Sequence, residues 1–370
     1  MGIRNKPRLA ILNQQMWPTR VPVYDLLYQE LGDRFKVFYP TLLEGDRDSR
    51  WLKSANHPFH LLKSRSISYT LFSLRRYVHF NPDIIPALRH FDPDCVIIYG
   101  FYPTALMAWA YTLIRKKKFV VATDGCLKSD RKNLFVHRLL RRLIIPTAVA
   151  AVGTSHGSLD LFNQYSNFNE RFFYNYLCVD NKWYASYRYS PRKYDVMFAG
   201  QFVERKMPFF FVDVVAKMKE KKTDLSAVLI GDGPLRTKTL ERLMSIGIQY
   251  QYDGFVPNEE LAKYYGSARI LLFPTKLDAY GIVANEALAV GTPVISNDEP
   301  GAAGEVILHN RTGYVLPLDD KIWAEHALRL LGDQELYERI SEAGFDHIQK
   351  YSLQSSVQGL LDVFEYAMNH

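Results

Sequence analysis

Short apolar runs alternate with amphipathic stretches along the chain. In the first half, β-branched and aromatic runs over 8–13, 35–39, 96–99, 119–122 and 148–152 read as strands, with a short extended piece at 172–174. Helical periodicity fills the gaps: 21–31, closed by Gly32; 82–91, with Asn81 as cap and Pro82 at its first position; 104–115; 134–143, with a strongly basic face; and 155–165. Residues 41–80 are irregular, with a helix expected over 70–79. The second half repeats the theme, with strands at 195–199, 226–230, 249–252, 270–273, 294–296 and 313–315. Its last three helices are expected at 320–331, 334–349 and 354–368. Strands alternating with helices imply a parallel sheet covered on both faces.

A chain of 370 residues exceeds what one core usually organises, so two domains are expected. Residues 181–193 show no clear element and mark the linker. The expected domains are 1–188 and 189–350. The three cysteines, Cys95, Cys126 and Cys178, form neither a CxxC nor a metal spacing, which fits reduced thiols in the cytoplasm. The opening apolar run is too short for a signal peptide and reads as a first strand. The uncharged stretch 95–114 approaches membrane-spanning length, but Gly100 and Pro103 divide it into a buried strand, a turn and a helix.

Charge is uneven. Residues 1–190 hold 27 Lys+Arg against 14 Asp+Glu, and residues 191–370 hold 19 against 25. A basic half of this kind suits phosphates or an anionic membrane surface, and equally a plain solvated face. Nothing in the pattern points to nucleic acid.

Candidate chemistry concentrates in the second half. After the strand at 270–273 come Asp278, then Tyr280-Gly281-Ile282-Val283 opening a helix that carries Glu286; Gly291 ends it and a strand follows. Free N–H groups at such a helix start can seat a diphosphate. Upstream, Gly200-Gln201-Phe202-Val203-Glu204-Arg205-Lys206 follows a strand: glycine lets a ligand approach the backbone, and lysine offers a point charge for phosphate. Gly231-Asp232-Gly233-Pro234 and Gly254-Phe255-Val256 are two more strand-end turns, with Asp232 expected to cap a helix.

The segment 195–316 resembles the donor-binding region of the retaining family 4 glycosyltransferases. Their pattern sets an acidic residue seven intervening positions before a Glu, as Asp278 and Glu286 stand here. The family usually has Glu at the first position and Arg where Gln201 stands. The resemblance implies the GT-B fold: α/β, two Rossmann-like doubly wound parallel-sheet domains facing a central cleft, with 351–370 crossing back onto the first. It implies a nucleotide-diphosphate sugar as co-substrate and no other cofactor. Gly200, Gln201, Arg205, Lys206 and Gly231 would lie at the diphosphate, the backbone near Val256 at the base, and Glu286 at the ribose hydroxyls. Asp278, with Tyr280, Gly281, Ile282 and Val283, would meet the sugar and diphosphate. Lys206, Asp278 and Asp124 are the candidate catalytic residues. Asp124 stands in Thr123-Asp124-Gly125, where many members carry His, and could orient the acceptor hydroxyl, act as base, or cap the turn before Cys126. Arg20, in a first loop without glycine, could add a cation. His156 reads as a surface histidine. No DxD pair stands where a metal-bridged diphosphate would need it, so no metal is expected.

The basic and aromatic residues of the first half (Trp51, Phe59, Phe72, Arg75, Arg76, Tyr77, Arg138, Arg141, Arg142) suggest a polyprenyl-diphosphate-linked or glycan acceptor, met at the cytoplasmic face of the plasma membrane during surface polysaccharide assembly. A soluble small acceptor competes with it. Rivals of other classes are a sugar-nucleotide epimerase, a phosphorylase, and a non-catalytic nucleotide-sugar-binding protein.

Overall fold

The computed structural model describes residues 6–43, 54–63, 65–71, 74–130 and 135–370. Two compact units divide the chain: Met1–Leu177 with Leu353–His370, and Cys178–Ser352. The sequence placed these breaks at 188 and 350.

Unit 1 runs β1 (Leu9–Leu12), α1 (Val21–Leu31), β2 (Phe35–Tyr39), β3 (Phe59–Leu61), β4 (Arg65–Leu71), β5 (Leu74–Phe80), α2 (Ile84–Phe91), β6 (Cys95–Tyr99), α3 (Pro103–Ile114), β7 (Lys118–Thr123), α4 (Leu127–Asp130), α5 (Phe135–Ile144), β8 (Ala150–Gly153), α6 (His156–Asn163) and β9 (Phe172–Tyr174). Seven strands pair in the order β3-β2-β1-β6-β7-β8-β9, all in parallel. β1, β6 and β8 are buried along their whole length, as a sheet covered on both faces requires.

Two expectations fail here. The helix expected over 70–79 is instead a hairpin, with β4 and β5 antiparallel in the register Arg65↔Phe80 to Leu71↔Leu74. The run Ser-Ile-Ser-Tyr-Thr-Leu alternates polar and apolar residues with a period of two, and that period prevails over the weak helical pattern. Asn81 does not cap α2, which starts later, at Ile84. Its buried side chain donates to the Lys63 carbonyl at 3.0 Å and accepts from Thr104 Oγ1 at 2.8 Å. Trp51, Phe72 and Leu134 lie outside the described residues.

Unit 2 holds α7 (Asn181–Ala185), β10 (Tyr194–Ala199), α8 (Pro208–Lys219), β11 (Ser226–Ile230), α9 (Arg236–Ser245), β12 (Gln249–Tyr252), α10 (Asn258–Ser267), β13 (Ala268–Phe273), α11 (Val283–Ala289), β14 (Val294–Ser296), β15 (Gly313–Val315), α12 (Asp320–Gly332) and α13 (Gln334–Ile348). Its six parallel strands pair in the order β12-β11-β10-β13-β14-β15. The segment expected to be a featureless linker contains α7, whose cap Asp180 accepts from the Lys182 and Trp183 N–H groups.

The last helix, α14 (Leu353–Asn369), belongs to unit 1. It packs on α1, β8 and β9. The approach is close because Gly359 lacks a side chain: a Cβ there would stand 1.8 Å from the Tyr174 carbonyl. Gly359→Ala is therefore expected to cost about 1–3 kcal/mol or more by overpacking, read as a lower urea midpoint at unchanged slope. Gly332→Ala, in a helix and with nothing within 4 Å, is the control and should be near neutral.

Candidate functional site

In unit 2 the strand order reverses at β10, the unit's first strand, which has β11 on one side and β13 on the other. Ligands of open parallel sheets bind beyond the carboxyl ends of the strands at such a switch point. The loops leaving β10, β11, β12 and β13 all lie at that edge, because every strand runs the same way.

The loops lock together through missing side chains. Gly231 adopts φ +112°, and a Cβ there would stand 2.0 Å from the Gly200 carbonyl. Its N–H donates to the Gly254 carbonyl at 2.6 Å. The turns after β10, β11 and β12 therefore touch backbone to backbone. Asp232 does not cap α9. Its side chain accepts from the Gly233 N–H and pairs with Arg236. Val256, after β12, is buried.

Charge gathers across the switch point. Lys206, in the tight turn after β10, forms an ion pair with Asp278, in the loop after β13. Lys206 Nζ also stands 5.2 Å from the centre of the Phe273 ring. The two loops are pinned by backbone: Thr275 Oγ1 and the Lys276 N–H both donate to the Arg205 carbonyl, at 2.9 and 2.8 Å. Arg205 donates to Gln201 Oε1 at 3.0 Å, so Gln201 holds the neighbouring guanidinium. Asp278 also accepts from the Tyr280 N–H at 3.3 Å. Burial would raise its pKa, but Lys206, Arg205 and that N–H prevail, and it lies below the ordinary carboxylate value.

Glu286 sits on α11, 7% exposed. Tyr184 of α7 donates to its Oε1 at 3.3 Å, and Tyr265 of α10 donates to its Oε2 at 2.5 Å. Burial raises its pKa; the two phenols and the nearby charge of Lys206 oppose that shift. One site thus holds two carboxylates whose affinities for protons are pushed apart. Ile282 and Val283 are half-buried at the start of α11, and Gly281 packs on Phe273, where a Cβ would meet the ring at 2.6 Å. Tyr280 is buried.

Sequence reasoning found Lys206, Asp278, Arg205, Gln201 and Glu286, which the fold brings together. It missed Tyr184, Tyr265, Thr275 and the buried Asn297 that binds the Thr275 backbone through both of its side-chain ends. Only Asp180, a readable cap, signalled the helix that carries Tyr184.

Asp124 lies in unit 1, after β7. It is paired with Arg20, which is 1% exposed and also donates to Asn175 and the Tyr176 carbonyl. Burial alone would lower the Arg20 pKa; Asp124, Tyr99 and Tyr24 more than offset it, so the guanidinium stays charged. Arg20 is thus a buried anchor, not a cation offered to a ligand. His156 is exposed and meets the Tyr174 hydroxyl at 3.1 Å.

Residues 180–347 match the family model described as Glycosyl transferases group 1. An uncharacterized glycosyltransferase of Methanocaldococcus jannaschii is 29% identical over 177 residues, 47% of this chain and 45% of that protein. The D-inositol 3-phosphate glycosyltransferase of Jonesia denitrificans is 28% identical over 185 residues, 46% and 42% of the two chains. The chain thus spans about half the length of the curated relatives it matches. Among solved structures, Anabaena HepE in complex with UDP superposes with a TM-score of 0.76 at 15% identity, covering 97% of this chain and 99% of that one. That likeness establishes the fold: two Rossmann-like parallel-sheet units of the GT-B class.

Glu286 holds its proton more tightly folded than unfolded. Stability therefore falls as pH rises from the unfolded carboxylate value, about 4.3, through the raised folded value. Glu286→Gln removes that cost. It should raise the ligand-free Tm at pH 7 and leave Tm unchanged at about pH 3. A Tm lowered at pH 7 but not at pH 3 would show that the fold needs the charge.

Proposed function

We propose that the protein is a retaining glycosyltransferase that moves a sugar, a hexose in the first instance, from a nucleotide-diphosphate donor to an acceptor hydroxyl. The observation that carries this is the meeting of Lys206, Arg205, Asp278 and Glu286 at the carboxyl edge of unit 2, across the switch point. The match of residues 180–347 and the UDP bound by HepE support a nucleotide sugar as donor.

In this reading Glu286 accepts from the two ribose hydroxyls, and the diphosphate lies over the turn at Gly200 and Gly231 and the start of α11. An arriving diphosphate competes with Asp278 for Lys206, and Asp278 is released toward the sugar hydroxyls. The bond from the anomeric carbon to the diphosphate breaks, and the acceptor oxygen attacks from the same face. The acceptor proton passes to a departing diphosphate oxygen. Lys206 and Arg205 meet the charge that develops on the leaving group, in place of a metal ion. Asp124, fixed by Arg20, is assigned to orienting the acceptor hydroxyl.

For the acceptor we favour a polyprenyl-diphosphate-linked glycan at an anionic membrane. No described helix is long and apolar enough to cross a bilayer. The support is α5. Its inner residues Leu140 and Ile144 join the core of unit 1, and Arg141 is buried against Asp130, so Arg141 leaves the expected basic surface. Its outer face presents Arg138, Leu139, Arg142 and Leu143, the leucines 50% and 59% exposed. Leucines flanked by arginines suit a lipid interface, where the apolar chains enter and the cations meet headgroups.

Two measurements test this. Calorimetric titration with UDP, GDP, ADP and dTDP and their sugar conjugates should show one nucleotide series binding. Lys206→Ala should weaken that binding about 10- to 100-fold, the worth of hydrogen bonds to a charged group. Turnover of the donor without an acceptor would favour an epimerase. Binding without turnover in the presence of lipid-linked acceptors would favour a sensor. In the second, wild-type protein should co-sediment with anionic vesicles but not zwitterionic ones, and Leu139→Glu/Leu143→Glu should abolish it. Equal sedimentation of variant and wild type would remove the membrane from the reading.

A further inference from the structure

We infer that Tyr184 and Tyr265 are positioning residues that make Glu286 a selector for ribose over deoxyribose in the donor. This rests on the reading of Glu286 as the ribose site.

Each oxygen of the Glu286 carboxylate receives one phenol, and the phenols come from different helices, α7 and α10. Tyr184 is 5% and Tyr265 1% exposed, and the rings stand 6.4 Å apart, tilted by 46°. Burial and the charge of Glu286 keep both phenols protonated, so each is a fixed donor that cannot reverse its role. The third group acting on the carboxylate is Lys206, whose Nζ is already bonded to Asp278.

A carboxylate oxygen has two lone-pair directions. With one direction of each oxygen taken by a tyrosine, one remains on each. Two vacant acceptor directions on one rigid carboxylate match the two adjacent hydroxyls of a ribose. A 2′-deoxyribose supplies only one donor and leaves a lone pair of a buried anion unmet. A site built around a hydroxyl rejects the analogue that lacks it far more strongly than an apolar pocket rejects a missing methylene. If a phenol hydroxyl is lost, the carboxylate is free to rotate and to spend its lone pairs elsewhere, and the distinction blurs. The tyrosines never touch the reacting atoms in this scheme; they act through Glu286.

The test is calorimetric titration of UDP, GDP and ADP, each beside its 2′-deoxy form, into wild type, Tyr184→Phe, Tyr265→Phe, Glu286→Gln and the double variant Tyr265→Phe/Glu286→Gln. Phenylalanine keeps the ring and its packing, and Tm is recorded for each protein. Wild type should prefer the ribose form by about tenfold or more. Each Phe variant should bring the ratio toward one by weakening the ribose form, with the deoxy form little changed. The double variant should lose no more discrimination than Glu286→Gln alone. A wild-type protein without the preference overturns the inference. So does an undiminished ratio in both Phe variants, and so does an equal loss for both sugars with a lowered Tm, which is a packing role. If no nucleoside diphosphate binds wild type, the donor reading fails, and this inference with it.

Discussion

Lys206 and Asp278 join the loops after β10 and β13 across the switch point of unit 2. Each is largely buried, and a buried charge is tolerated only beside its opposite. They come from loops after adjacent strands on opposite sides of the switch point, so the pair can form only if β10 and β13 lie side by side. Much else in unit 2 serves that meeting. Thr275 and Lys276 hold the Arg205 carbonyl, Asn297 holds Thr275, and Gly231 lets its turn press on Gly200. An ion pair of this kind contributes little net stability, because desolvation offsets most of the attraction. In the proposed reaction the pair is exchangeable: a phosphate takes the lysine at small net cost, since the lysine keeps an anion throughout.

Unit 1 uses the same device for a different end. Arg20 and Asp124 also stand at the carboxyl ends of parallel strands, and the guanidinium is wholly buried. Here the cation is spent inward. It binds Asn175 and the Tyr176 carbonyl, and Asn175 and Tyr176 in turn bind Ser356 of the last helix. The loop without glycine after β1 thus carries an arginine that ties α14 to the sheet. It fixes Asp124 as a consequence.

The two carboxylates of unit 2 show how environment separates like groups. Asp278 faces two cations and a backbone N–H; Glu286 faces two neutral phenols in a drier place. The first is held in its charged form. The second accepts hydrogen bonds from neutral hydroxyls, those of Tyr184 and Tyr265.

Most of the strands and the segment from Asp278 to Glu286 were legible along the chain, because both are local. A period of two or of 3.6 is written in neighbouring residues, and Asp278, Gly281 and Glu286 lie within one strand-loop-helix segment. Local pattern failed where two periods competed, over 65–80, and where a polar residue had a better partner than its own helix, as Asn81 did. It could not say which charges go inside. Arg141 reads like Arg138 and Arg142, yet it is buried on Asp130 while they face outward. Partners were equally hidden, since Glu286 and Tyr184 are 102 positions apart, Arg20 and Asp124 are 104 apart, and Lys206 and Asp278 are 72 apart. The residues settled most of the element types and the chemistry on offer. The folded sheet settled which of those groups meet, because burial removes the water that would otherwise satisfy each of them alone.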